Sequence, residues 1–249
     1  MPKVLILRFD APLMSFGGVS VDKHCITDKF PTKSMMTGFF SNALGWSYLD
    51  MSKHDDLQDR IRIASRIDRE GRKIVDFQTV SLGQDHMRSS NAWTTRGRVE
   101  PRQGTSDSPD AIHIRYRHYI ADAVYTLAVG LHEPEKEPTL RRLEEAMVRP
   151  ERPLSIGRKC CIPSSPVLVD CIEVDSLRQA LVDVPGIIKE RAASLLVDAC
   201  WPSATPVAQQ GVLVKSVNDL KDWKTGVHCG ERWVCFGQLR VKKRSKDYV

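Results

Sequence analysis

Between two segments that read as strands, Lys73–Val80 and Ile112–Tyr119, the chain carries a run from Gly83 to Asp110 with few aliphatic residues. The run is rich in Ser, Thr, Gly, Gln, Asn and Arg, and Trp93 is its only large aromatic residue. Such a composition cannot bury enough apolar surface to build a core of its own. It is also far longer than the roughly 4–6 residues of a typical connection, and long loops inside a compact domain are usually functional or disordered. The flanking strands therefore bracket a protruding, arginine-studded hairpin arm. The rest of the chain must supply a sheet that tolerates such an excursion.

Periodicity supplies that sheet. Lys3–Phe9 is a short apolar strand, and Thr32–Tyr48 is predicted helical, opened by Pro31 and Thr32, with Met36, Phe39, Phe40, Ala43 and Leu44 at helical spacing. Ile61, Ile63 and Ile67 alternate with arginines in Arg60–Ile67, which predicts a half-buried strand with a basic outer face. Asp122–Leu131 continues as strand, Thr139–Val148 places Leu140, Leu143 and Met147 on one face of a charged helix, and Val167–Ile172 closes the series. The order β-α-β-β-α-β defines an α+β, ferredoxin-like motif, the four-stranded sheet that RNA-recognition modules share. After a short helix at Asp175–Leu181, strand-like pieces at Ser194–Trp201, Val212–Val217 and Arg232–Lys243 predict a smaller β-rich subdomain. The expected division is 1–184, with the arm at about 81–112, and 185–249.

The net charge is +6. Most of it falls between Arg60 and His118, where twelve bases face seven acids and eleven of the twelve are arginine. Arginine suits phosphate because its planar fork donates two parallel hydrogen bonds and its face stacks on bases. A clustered basic excess points to a polyanion; the alternative is a solvated face with local ion pairs. Arg240, Lys242, Lys243, Arg244 and Lys246 add a second positive patch.

Seven cysteines without a C-x2-C pair argue against a disulfide framework and against zinc, and the spacing of His228, Cys229 and Cys235 matches no familiar metal site. The apolar run Val4–Leu7 is cut by Arg8 and Asp10, so it makes neither a secretory core nor the ~20-residue span a bilayer needs. A cytoplasmic protein with no membrane contact and no cofactor is expected.

Three loops carry candidate binding residues. Phe30-Pro31-Thr32-Lys33-Ser34 leads into the first helix, where unpaired N–H groups and partial positive charge make Lys33 and Ser34 a phosphate seat, or else Thr32 simply caps the helix. Arg8–Gly18 places Gly17 and Gly18 where a backbone could approach a ligand. Ser155–Pro163 offers Arg158 and Lys159 on a glycine-containing turn.

Together these motifs resemble the CasD family, the "Cas five" subunit of the type I-E CRISPR surveillance complex called Cascade. The family's P-[LM]-x-[SA]-[FW]-G loop is matched by Pro12, Leu13, Ser15, Phe16 and Gly17, and its F-P-T-[KR]-S by Phe30–Ser34, with Ala43–Gly45 ending the helix. D-F-x-T-V is matched by Asp76–Val80, R-x-Y-[IL]-x-D-A by Arg117, Tyr119, Ile120, Asp122 and Ala123, and G-R-[RK]-x-C-x-P by Gly157, Arg158, Lys159, Cys161 and Pro163. The resemblance implies a ferredoxin-like, RAMP-type domain with a thumb. It implies a non-catalytic subunit that holds the 5′ handle of the crRNA, caps the backbone filament, and meets target DNA, the backbone subunits and the large subunit. The expected RNA-binding residues are Gly17, Gly18, Lys33, Ser34, Arg88, Arg96, Arg98, Arg102, Arg115, Arg117, Arg158 and Lys159. The rival is a metal-independent endoribonuclease that processes precursor crRNA, as in the I-C branch, with His113, Tyr116, His118, Tyr119 and Lys33 as its candidates.

Overall fold

A computed structural model of the chain describes residues 1–18, 23–81, 91–93, 99–101, 112–187, 194–207 and 211–242. In chain order the strands and helices are β1 (Lys3–Asp10), β2 (Leu13–Met14), β3 (His24–Cys25), α1 (Lys33–Ala43), α2 (Met51–Arg60), β4 (Ile61–Arg69), β5 (Arg72–Ser81), β6 (Asn91–Trp93), β7 (Val99–Pro101), β8 (Ile112–Ala121), β9 (Val124–Leu131), α3 (Leu140–Val148), β10 (Leu168–Glu173), α4 (Leu177–Asp183), β11 (Ser194–Pro202), β12 (Leu213–Val217) and β13 (Arg232–Lys242). This is a mixed α+β architecture. Met1–Gly18, Thr27–Lys73 and Tyr119–Val249 make one compact unit, and Val19–Ile26 with Ile74–His118 make another.

The first unit is built on a seven-stranded sheet in the order β10-β1-β9-β4-β11-β13-β12, with every neighbouring pair antiparallel. β1 is buried on both faces. Val4 and Ile6 join Ala64, Ala128, Val197 and Leu239 beneath Ala180 and Leu181 of α4. On the opposite face Phe9 meets Phe39 of α1 edge to face at 5.3 Å. Burying each such aromatic or aliphatic side chain stabilises by ~1.5–3 kcal/mol.

α1 begins where expected, because Thr32 accepts a hydrogen bond from the Met35 N–H at 3.2 Å. It stops earlier than Tyr48. Gly45 adopts a left-handed φ of 73°, and the Gly45 and Trp46 N–H groups donate to the Asn42 and Ser41 carbonyls, a glycine-dependent helix stop. α2 was not anticipated, since its buried face consists of His54, Leu57, Gln58 and Arg60 rather than an apolar stripe. Gln58 earns its burial by bracketing the Lys221 backbone, donating to the carbonyl at 2.9 Å and accepting from the N–H at 3.0 Å.

Two expectations change. β4 keeps only part of the expected basic outer face: Arg62 is exposed, whereas Arg66 is buried, as is Arg60, which ends α2. Arg60 donates to the carbonyls of Glu133, Lys136, Glu137 and Pro138 and to Asp56, tying down the turn after β9. Arg66 pairs with Asp68 at 2.7 Å, both side chains having 0% exposure. Its other guanidinium nitrogens close the end of α4 on the carbonyls of Leu181, Val184 and Pro185, and Thr126 donates to Asp68. The segment 185–249, expected as a subdomain of its own, supplies β11, β13 and β12 to the large sheet, because β11 pairs with β4 at Ala199↔Arg66 and Cys200↔Ser65.

In the second unit β3 runs parallel to β8, with His24 opposite Tyr116 and Cys25 opposite Arg117, and β5 also pairs with β8. β6 and β7, two short strands within the span expected as the arm, pair antiparallel, Asn91↔Pro101 and Trp93↔Val99. Gly83, Arg88, Arg96, Arg98 and Arg102 lie outside the described residues.

Removing one member of a buried ion pair strands the other charge at a cost of ~3–5 kcal/mol. Arg66→Met is therefore expected to lower the unfolding free energy by about that amount in urea titrations. Arg66→Met combined with Asp68→Leu should recover a large part of the loss.

Candidate nucleic-acid interface

Three loops of the first unit converge at one place. β1 ends at Asp10, whose carbonyl accepts from the Ser164 N–H at 2.8 Å, and the chain then turns through Leu13–Met14 beside Ile120 and Ala121 of β8. The Ser15 N–H donates to the Ile156 carbonyl at 3.1 Å. This brings the loop 12–18 against 155–161. Gly157 makes the approach sterically feasible: its φ is 99°, and a Cβ there would lie 1.7 Å from the Ser15 carbonyl oxygen. Only glycine fits.

Phe16 anchors the first loop, fully buried and edge-on to Tyr125 at 4.9 Å. Its N–H donates to the Thr27 hydroxyl at 2.8 Å, and its carbonyl accepts from the Asp28 N–H at 3.1 Å, which draws the third loop, 28–34, alongside. Gly17 keeps ordinary backbone geometry, and a Cβ there would meet Thr32 and Met35 no closer than 3.9 Å. Among the described residues nothing demands glycine at that position. At Gly18 a Cβ would lie 2.9 Å from an Asp28 carboxylate oxygen.

The 155–161 loop is tight, closed by the Ile156 N–H on the Cys161 carbonyl at 2.7 Å and the Cys161 N–H on the Arg158 carbonyl at 2.8 Å. Burial, then the neighbouring Cys160, pushes the Cys161 thiol up to about 12, so it serves as a small apolar plug. The loop's tip points the other way. Lys159 and Cys160 are exposed, and the Arg158 guanidinium lies 4.8 Å from the centre of the Tyr119 ring, whose hydroxyl accepts from the Cys160 thiol. Cation–π contact holds Arg158 against the Tyr119 ring.

The start of α1 is not the open phosphate seat that its sequence suggests. Asp219, far along the chain, occupies it: its carboxylate accepts from the Lys33 N–H at 2.8 Å and its carbonyl from the Ser34 N–H at 3.1 Å. Arg232 binds the same carboxylate through two nitrogens at 2.8 and 2.7 Å. A protein carboxylate thus satisfies the N–H groups and partial charge that would have drawn an anion. Lys33 and Ser34 are both buried; the Lys33 ammonium reaches the Asp59 carbonyl at 3.4 Å, and the Ser34 hydroxyl lies 3.4 Å from His228 Nε2. A cavity of about 350 Å³ opens beside this helix start, lined by Lys29, Phe30, Thr32, Asp219 and Arg232 among others.

Arg115 and Arg117 are half-buried in the second unit, on the face of β8 opposite Tyr116. The candidates for the nuclease alternative are divided: Lys33 and Tyr119 belong to the first unit, Tyr116 and His118 to the second, and the His113 side chain lies outside the described residues. Among the described residues no group of three or more His, Cys, Asp or Glu side chains could hold a metal ion, and no helix is long and apolar enough to cross a membrane.

A family model described as CRISPR-associated protein (Cas_Cas5) matches residues 4–235. The chain belongs to the Cas5 family. A curated relative, the CRISPR system Cascade subunit CasD of Escherichia coli (strain K12), is 27% identical over 183 residues, which cover 74% of this chain and 77% of CasD. Two solved structures share the fold. A chain of a CRISPR RNA-guided surveillance complex superposes with a TM-score of 0.62 at 24% identity, over 96% of this chain and 90% of that one. A structure described as a Cas protein gives 0.61 at 20% identity, over 96% and 95%. The loops 12–18, 28–34 and 155–161 all fall within the family match.

Two outcomes test this geometry. Gly157→Ala is expected to destabilise by ~1–3 kcal/mol, the cost of a forced backbone conformation, whereas Lys159→Ala should leave thermal unfolding unchanged. Burial, reinforced by Arg62 and Arg232, lowers Lys33 from 10.5 to about 8. Between those values the unfolded chain holds a proton that the folded chain has released, so this residue's contribution to stability rises with pH. Denaturation at pH 7.5 and 9.5 should show wild type gaining on Lys33→Gln at the higher pH.

Proposed function

We propose that this Cas5-family chain is a non-catalytic, crRNA-binding subunit of a type I Cascade complex, acting in the cytoplasm, that holds the 5′ handle and caps the backbone filament. The observation that carries the reading is the convergence of the 12–18 and 155–161 loops. It sets Gly17, where the described neighbours leave room for a side chain, near the turn that carries Arg158 and Lys159. A glycine backbone beside two cations, one of them oriented by an aromatic ring, suits a sugar-phosphate chain.

The strand order supports a ferredoxin-like, RAMP-type core. Counting only the strands of the β-α-β-β-α-β series, β10-β1-β9-β4 reads fourth, first, third, second, which is a split βαβ arrangement. RNA contact is assigned to Gly17, Gly18, Arg158 and Lys159, with Arg115 and Arg117 serving the strand in the second unit. Lys33 and Ser34 act from behind by fixing the 28–34 loop. The arm's arginines, Arg88, Arg96, Arg98 and Arg102, track the phosphates of guide and target strands, because a subunit that serves many guides must accept any sequence. The relative named as a Cascade subunit supports the association with backbone and large subunits.

The test is binding of repeat-derived RNA by the purified chain at several salt concentrations. Arg158→Ala with Lys159→Ala should flatten the slope of log K against log salt by about 0.7 for each phosphate contact removed. The RNA should remain uncut with and without EDTA. An unchanged slope removes these residues from the interface, and metal-independent cleavage of the repeat would replace this reading by the nuclease one.

A further inference from the structure

The second unit carries an aromatic row with no part in the loops described above. His24 of β3 lies opposite Tyr116 of β8, and their rings stack at 4.9 Å with an interplanar angle of 9°. Phe77 of β5 meets the same Tyr116 ring at 5.3 Å, and His118, two residues along β8, lies 6.3 Å from His24. Side chains two apart on a strand share a face, so three strands present rings on one surface. That surface is open: Phe77 remains 55% exposed despite its contact, Val75 is 53% exposed and Ile26 43% exposed.

Exposed rings of this kind cost solvation unless something covers them, and the chemistry of the row indicates what does. Tyr116 already carries one flat nitrogen heterocycle, the His24 imidazole, in parallel stacking. The Lys23 ammonium lies 5.6 Å from the centre of the same ring. Among the described charged side chains of this unit, Arg115, Arg117 and Asp76 alternate with Tyr116 and Phe77 and belong to the other face, which leaves Lys23 as the charged group beside the rings. A sheet face that sets stacked aromatics beside the Lys23 ammonium complements a single strand that offers flat bases on a polyanionic backbone. An apolar protein partner would gain nothing from the Lys23 cation.

We infer that His24, Tyr116 and Phe77 form a stacking platform on which Phe77 receives an unpaired base of single-stranded RNA. The inference rests on the RNA-binding reading above and adds to it a second contact, indifferent to base identity, because every base has a π face.

The experiment uses the full chain and a single-stranded RNA of mixed sequence carrying one 2-aminopurine, moved along the strand position by position. Wild type should quench the fluorophore at one position. Phe77→Leu, which keeps an apolar side chain at an exposed site, should abolish that quenching and weaken binding by about 5- to 150-fold. Phe77→Trp should retain both, and all variants should keep the wild-type circular dichroism spectrum. Unchanged quenching and affinity in Phe77→Leu would overturn the platform while leaving RNA binding by the loops intact. Tighter binding of the DNA strand of the same sequence would overturn RNA as the occupant. If Phe77→Leu bound RNA normally but failed to join partner subunits, the face would be a protein interface. A wild-type chain that bound no RNA at all would overturn the functional reading itself.

Discussion

The ion pair between Arg66 and Asp68, wholly withdrawn from water, is the interaction on which the architecture turns. It sits on β4, the strand that joins the β10-β1-β9 side of the sheet to β11 and β13. Its guanidinium terminates α4 and its carboxylate receives Thr126 from β9, so one pair fixes a helix end and two strands at once. Charges removed from water must be fully hydrogen-bonded or they destabilise what they were meant to hold. Here the donors and acceptors are supplied, and the strand that carries them cannot slide without breaking the set.

The candidate interface depends on this rigidity at one remove. Phe16, Gly157 and Thr32 make loops from three parts of the chain share a small volume: Phe16 is fixed by Tyr125 of β9 and Thr32 by α1, while Gly157 packs on the backbone of Ser15 in the neighbouring loop. Cations held this way lose less side-chain freedom when they meet a phosphate than cations on a mobile tail would. The Arg158–Tyr119 contact gives the same advantage at the level of a single residue.

Much of this was readable in advance. β1, β9, α1 and α3 follow from apolar spacing and from Thr32 and Thr139 as caps. The failures share a cause: side chains classed by type rather than by partner. Arg60 and Arg66 read as solvent-facing because arginine usually is, yet their partners are backbone carbonyls and an aspartate, which periodicity does not register. α2 escaped notice because His54 and Gln58 are buried through hydrogen bonds and ring contacts rather than hydrophobicity. The helix-start seat was legible in Thr32–Ser34, but its occupant, Asp219, lies 186 positions beyond Lys33, and no local pattern announces a contact of that range. The docking of β11 on β4 was hidden for the same reason. Phe77 was visible within Asp76–Val80, but its stacking neighbours were not, because His24 comes from a strand of two residues.

The grip of Asp219 and Arg232 on the first turn of α1 orders events in time. During synthesis the ribosome releases Thr32–Ser34 long before Asp219 and Arg232 exist, and a domain folds as a unit once its parts have emerged. Until the last strands are made, the Lys33 and Ser34 N–H groups must be satisfied by water. The 28–34 loop therefore has no fixed end while the chain is still being translated. A nascent chain can assemble β1, β4 and β9 early, but the side of the interface that rests on α1 takes shape only when the C-terminal hairpin closes over it. Messages truncated late would thus yield chains that hold most of the sheet and lack a finished helix start.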